Sequence, residues 1–83
     1  MLVDVVQVEA LDHYRLRLSF DDGTAGVVDI ASMVPFEGVF APLGDSAFFA
    51  QVRVDAELGT IVWPNGADLD PGVLHERAVG ARD

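Results

Sequence analysis

The sequence predicts a small α+β domain: an antiparallel β-meander (β-β-β), then a short helix, a β-hairpin and a C-terminal helix packed on the sheet. Three observations carry that expectation. Tyr14 to Phe20 alternates strictly between apolar and polar side chains, Asp22-Gly23 follows as a turn, and "WPNGADLDPG" joins a strand to a helix. A two-residue period marks a strand buried on one face. Strands grouped with each other and helices laid against them mark the α+β class.

The elements follow in order. Val3 to Glu9 is rich in β-branched residues and reads as a strand with apolar character on both faces. "ALDH" turns the chain. In the second strand Tyr14, Leu16, Leu18 and Phe20 form one face, and Arg15, Arg17 and Ser19 the other. Asp22-Gly23 suits a two-residue type I′ turn, which needs positive φ at both central positions, and leads into Thr24 to Ile30. The long connection "ASMVPFEGVFAPLGD" would pack over the sheet through Met33, Val34, Phe36, Phe40 and Leu43. Asp45 or Ser46 can cap a short helix through Gln51, with Phe48 and Phe49 turned inward. Val52 to Asp55 and Thr60 to Trp63 form a second hairpin, with Gly59 for the left-handed position of its loop. The five strands are expected in a single sheet layer. Pro64 stops the last strand, and Asn65-Gly66 turns the chain. Asp70 caps a final helix whose first residue is Pro71, with Asp68 adding negative charge near its positive end. That helix runs to about Val79, with Val73, Leu74, Arg77 and Ala78 on one side and Gly80 ending it.

At 83 residues the chain is one domain, 1–83. A chain this short buries only about 60–65% of its unfolded surface, and stability on the order of 4–12 kcal/mol is expected. The composition is 51% hydrophobic, more than a small interior absorbs, so a covered outer face and a homodimer are expected. There are 14 acidic residues against 5 arginines and no lysine, a net charge of −9. Such a surface repels phosphate, so direct nucleic-acid binding is not expected, and the acidic balance suits a small, basic protein partner. The absence of cysteine rules out disulfides, thiolate zinc sites and a cysteine nucleophile. No run reaches ~18 apolar residues, so no membrane span is expected. Met1-Leu2-Val3-Asp4 lacks the features of a signal peptide, and a cytoplasmic location is the expectation.

Ile61 to Glu76 gathers Trp63, Asn65, Asp68, Asp70, His75 and Glu76, and each chemistry it could support can be weighed. A calcium loop counted from Asp68 needs Gly and Glu at its sixth and twelfth positions, where Val73 and Val79 stand. His75 and Glu76 are adjacent in a helix and point about 100° apart, so they do not face one ion together. His13, the other histidine, lies in a turn before the second strand, and nothing in the spacing brings the two together. An acid/base pair from Asp68 and Asp70 conflicts with capping, which holds a carboxylate ionised. Ser19, Ser32, Ser46, Thr24 and Thr60 lie in no nucleophile motif. "DDGTAG" has too few glycines for a phosphate or dinucleotide loop. Arg15, Arg17 and Arg53 could receive an anion, but cross-strand pairing with carboxylates is favoured on so acidic a surface. No catalytic, cofactor or metal residue is therefore assigned. Asp68 and Asp70 are read as structural caps, and Val3, Val5, Arg15, Arg17, Trp63 and Asn65 as the possible interaction surface, although Ile61 on the same face favours the core for Trp63. The alternatives are a small metal-dependent hydrolase using Asp68, Asp70, His75 or His13, and a regulatory domain holding a small ligand under Phe36–Phe49.

"YRLRLSFDDGTAGVVDI", "FAPLGDSAFFAQVRVDAELGTIVWPNGADLDP" and "VLHE" resemble the small bacterial family known as domain of unknown function 2442, over Val3 to Arg77. "GTIVWPNGADLDP" is the most specific part. Some relatives carry tyrosine where His75 stands, which argues against His75 as an essential ligand. The resemblance implies a small α+β module that stands alone or precedes a helix-turn-helix domain. Read to Asp83, the chain is expected to lack such a domain. Stand-alone members are often encoded beside another small protein, which implies a toxin–antitoxin-like pairing. The family supplies no catalytic residues.

Overall fold

The computed structural model describes residues 3–80; Met1 and Leu2, on which the leader reading partly rests, lie outside them. The architecture is α+β. Strands β1 (Val5–Leu11), β2 (Arg15–Phe20) and β3 (Ala25–Asp29) form an antiparallel sheet in the order β1-β2-β3. Cross-strand rows are set by Glu9–Arg17–Val27 and Ala10–Leu16–Val28. The even positions of β2 face inward: Leu16, Leu18 and Phe20 are buried, while Arg15 and Arg17 are exposed. Strict alternation produces this division, because successive side chains leave a strand on opposite faces.

β1 starts two residues later than expected and absorbs part of "ALDH". Asp4 stands just outside it, its C=O accepting from the Asp21 N–H and its N–H donating to Asp21 Oδ1. A 3-10 turn at Asp12–Tyr14 follows, with His13 and Tyr14 both at positive φ. Such backbone costs roughly 1–3 kcal/mol per residue, and Tyr14 shows what offsets it. Its hydroxyl donates to the Gly44 carbonyl, and its ring meets Phe36 and Phe49 edge-on at 5.2 and 5.3 Å.

The β2–β3 turn differs from the expected type I′. Gly23, at φ +88, has positive φ but Asp22 does not. The Gly23 N–H donates to Phe20 C=O and the Phe20 N–H to Thr24 C=O. This is a three-residue loop with a glycine bulge. Asp22 Oδ1 favours it by accepting from the Thr24 N–H and hydroxyl.

Helix α1 (Ile30–Met33) takes the end of the expected third strand and buries Ile30. A 3-10 segment at Gly38–Gly44 and helix α2 (Ser46–Phe49) carry Leu43 and Phe49 into the core. Asp45 Oδ1 caps α2 through the Ala47 N–H, and the helix stops two residues short of Gln51. Strands β4 (Arg53–Asp55) and β5 (Thr60–Val62) form a separate two-stranded sheet. The single layer expected from the sequence is therefore split. The register of β1 shifts at a bulge between Val5 and Gln7, and the Val5 N–H donates to the C=O of Gly59 in the β4–β5 loop.

Helix α3 (Pro71–Gly80) covers the inner face of the first sheet at β3. Leu74 and Ala78 are buried; Val73 and Arg77, expected beside them, are exposed. Gly26 permits the close approach, since a Cβ there would lie 2.4 Å from the Ala78 carbonyl oxygen. The resulting core centres on Leu16, Leu18, Ile30, Leu43, Ile61, Trp63 and Leu74. It absorbs most of the apolar surplus: Val6, Val27, Val39, Leu58 and Val73 are the large apolar side chains left exposed among the described residues, on five different segments.

Candidate functional site

The residues from Trp63 to Asp70 build a corner out of their polar atoms. The Trp63 N–H donates to Ala67 C=O at 2.9 Å, and the Gly66 N–H returns to Trp63 C=O at 2.9 Å. Asn65 Oδ1 accepts from the Ala67 N–H, while its Nδ2 donates to Val39 C=O at 2.9 Å. Asp68 pairs through its backbone with Val62, and the Thr60 hydroxyl donates to Leu69 C=O at 2.5 Å. Asp70 Oδ1 accepts from the Gly72 N–H at 2.9 Å at the start of α3. Trp63 is 1% exposed, and its indole N–H donates to Phe49 C=O at 3.0 Å. A buried indole N–H needs such a partner. No buried side-chain nitrogen or oxygen is left unpartnered among the described residues.

The histidines sit apart in function. His75, on α3, places Nε2 3.0 Å from Asp22 Oδ2 and its ring edge-on to Phe20. The bonds from Thr24 hold the Asp22 carboxyl below its ordinary range, and the His75 contact adds to that. Together these atoms tie α3 to the β2–β3 loop. His13 lines a crevice of about 360 Å³ with Asp12, Tyr14, Ser46 and Phe49. It lies at the edge of the Phe36–Phe49 segment, whose Leu43 and Phe49 fill the interior beneath. Among the described residues, no three His, Asp or Glu side chains converge to hold a metal.

Of the six residues assigned to an interaction surface, Val5 and Trp63 are core, 2% and 1% exposed, and are withdrawn from it. Val5 lies inward because it pairs with Phe20, another buried residue, at the end of the sheet. Val3 is half-buried. Arg15, Arg17 and Asn65 are exposed, with Asn65 committed to the corner. Arg15 and Arg17 lie on the outer face of the β1-β2-β3 sheet, the face opposite α3. There Arg17 Nη1 meets Glu9 Oε1 at 2.7 Å, a cross-strand pair with both side chains more than half exposed. The outer face continues into a groove of about 540 Å³ between β1 and β4, where Arg53 joins Arg17. Sequence reasoning missed this groove. Its walls come from β1 and β4, strands of two different sheets, and no local feature of the sequence marks that separation.

The fold and these surfaces define a small α+β domain with one sheet face under a helix and the other open. The chain belongs to the family described as "Protein of unknown function (DUF2442)", whose sequence profile matches residues 5–80. No curated protein and no solved structure matches it. No helix among the described residues is long and apolar enough to cross a membrane.

Proposed function

We propose that this domain is a non-enzymatic protein-interaction module that works in the cytoplasm. It presents the outer face of its three-stranded sheet to a second copy of itself and, in an antitoxin-like pairing, to a neighbouring small protein. One observation carries the reading: of the residues that invited a catalytic assignment, Trp63, Asn65 and Asp70 are engaged with main chain and His75 with Asp22, while the open face keeps its charged side chains in solvent. The acidic surplus favours a protein over a nucleic acid as partner, since phosphate would be repelled.

Sedimentation equilibrium at tens of micromolar, and co-expression with the product of the adjacent gene, test this directly. A dimer or a stable complex is expected, weakened at least tenfold by Arg15→Glu with Arg17→Glu. A monomer that associates with neither would sink the proposal.

A further inference from the structure

β1 and β4, strands of two different sheets, lie in contact, and the loop after β4 closes on the start of β1 through the bond from the Val5 N–H to Gly59 C=O. At this end the seam between them opens into a hollow of about 260 Å³ lined by Asp4, Val5, Val6, Val54, Ala56 and Gly59. Its lining is apolar apart from Asp4. Two of the large apolar side chains left exposed belong here. Val6 and Leu58, 49% and 55% exposed, stand next in the chain to the bonded Val5 and Gly59. Such a hollow takes a single side chain, not an added strand. Covering it removes apolar surface from water, which is favourable in proportion to the area covered.

The charges around it have one sign. Asp4 lines the hollow, its carboxylate so close to the loop that a Cβ at Gly59 would lie 2.5 Å from its Oδ1. Asp21 joins it, since its Oδ1 accepts from the Asp4 N–H. In the β4–β5 loop Asp55 accepts from the N–H groups of Glu57 and Leu58, and Glu57 is itself exposed. Among the described residues, none of these four carboxylates meets a cation within ion-pair distance. The arginine nearest in sequence, Arg53, lines the neighbouring groove of about 540 Å³ with Arg17 and Glu9, and not this hollow. The local field therefore repels phosphate, an anionic membrane surface and a second copy of a chain carrying −9. It attracts a cationic segment, and one that also carries an apolar side chain gains from the hollow.

We propose that this hollow is the docking site for a basic segment of a partner protein. The segment seats one apolar side chain against Val6, Val54 and Ala56, and sets arginines or lysines over Asp4 and Glu57. The site lies at the opposite end of β1 from Arg15, which pairs with Leu11, whereas Val5 pairs with Phe20. It rests on the interaction-module reading and adds to it the chemistry of the partner and a second place of contact.

The test titrates isotope-labelled protein with acetyl-Arg-Arg-Leu-Arg-Arg-amide, with a counterpart carrying serine for leucine, and with one carrying glutamate for arginine. Amide shifts are expected at Asp4–Val6 and Val54–Gly59. The leucine–arginine peptide should bind at least threefold tighter than the serine peptide and at least tenfold tighter than the glutamate one. Asp4→Asn with Glu57→Gln should weaken it at least threefold. Asp12→Asn with Glu37→Gln, which removes equal charge at exposed positions elsewhere, should leave it unchanged. Ala56→Arg, at an exposed position on the rim, should abolish binding. Equal affinity for the leucine and serine peptides, shifts confined to other surfaces, an equal loss from the two charge-removing pairs, or binding unaffected by Ala56→Arg overturns the proposal. The two readings fail separately. Self-association lost on reversing Arg15 and Arg17, without peptide in the hollow, removes this site and keeps the module. Peptide seated in the hollow of a chain that forms no dimer or natural complex does the reverse.

Discussion

The corner from Trp63 to Asp70 and the seam between β1 and β4 are opposites. The corner is crowded with residues that suggest chemistry, and its hydrogen bonds run to backbone: Asn65 to Val39 and Ala67, Asp70 to Gly72, Trp63 to Phe49. The seam is lined mainly by valines, with Gln7, Ser19, the carboxylates of Asp4 and Glu9, and two arginines, of which Arg17 pairs with Glu9 and Arg53 has no ion-pair partner among the described residues. The contrast teaches that a side chain's type is a poor guide to its availability. A polar group already bonded to main chain contributes to the joint. Drawing it away for a ligand would leave an N–H or C=O without its partner, at a cost of about 1–3 kcal/mol where the site is buried. The seam carries little such cost, because Arg53 is exposed and unpaired among the described residues and the Arg17–Glu9 pair is itself more than half in solvent.

The largest expected effect lies in the corner. Trp63→Ala removes the largest fully buried side chain and the Phe49 bond together, and should cost about 3–5 kcal/mol. Against a total on the order of 4–12 kcal/mol for this length, that leaves a protein near its unfolding threshold. Urea denaturation followed by circular dichroism measures it, since Trp63 is the chain's only fluorescent indole. A loss below ~1 kcal/mol would mean the corner does not hold the fold, and the contrast with the seam would collapse. Asp70→Ala tests the same region at one atom and should lower stability by about 1 kcal/mol, as loss of an N-cap does. Asp70→Asn, which keeps the accepting oxygen, should recover most of it. A cap worth nothing would return Asp70 to the list of free carboxylates.

These two substitutions also mark how far the sequence could be read. The meander was legible from Leu16, Leu18 and Phe20, since one period-two run settles which face is buried. Pro71 after Asp70 and Gly59 in the second hairpin were equally readable, because cap and turn chemistry is local. What escaped depended on residues distant in sequence. Ile30 reads as a strand end, yet it begins a helical turn because its side chain fills the core. Val5 looks like half of an outward pair until Phe20 is set opposite it. The split into two sheets has no local mark, and Val6, at the bulge, is the same residue type as Val8. The open groove inherits that opacity: its strands were read, but not the gap between them.

The smallest effect on stability sharpens the comparison most. Arg53→Glu and Arg17→Ala alter the two cations of the seam without touching the core. Arg53 is exposed and has no ion-pair partner among the described residues, so its reversal should change stability by no more than about 0.5 kcal/mol. Arg17→Ala breaks the pair with Glu9, but both side chains are more than half in solvent, and such pairs contribute about 0–1 kcal/mol. Urea midpoints for both variants should fall close to that of the unaltered protein, and far above that of Trp63→Ala. A loss above ~1 kcal/mol from Arg53→Glu would show that Arg53 braces the hairpin against β1. The seam would then be a second joint, its charge spent on the fold as the corner's polar atoms are.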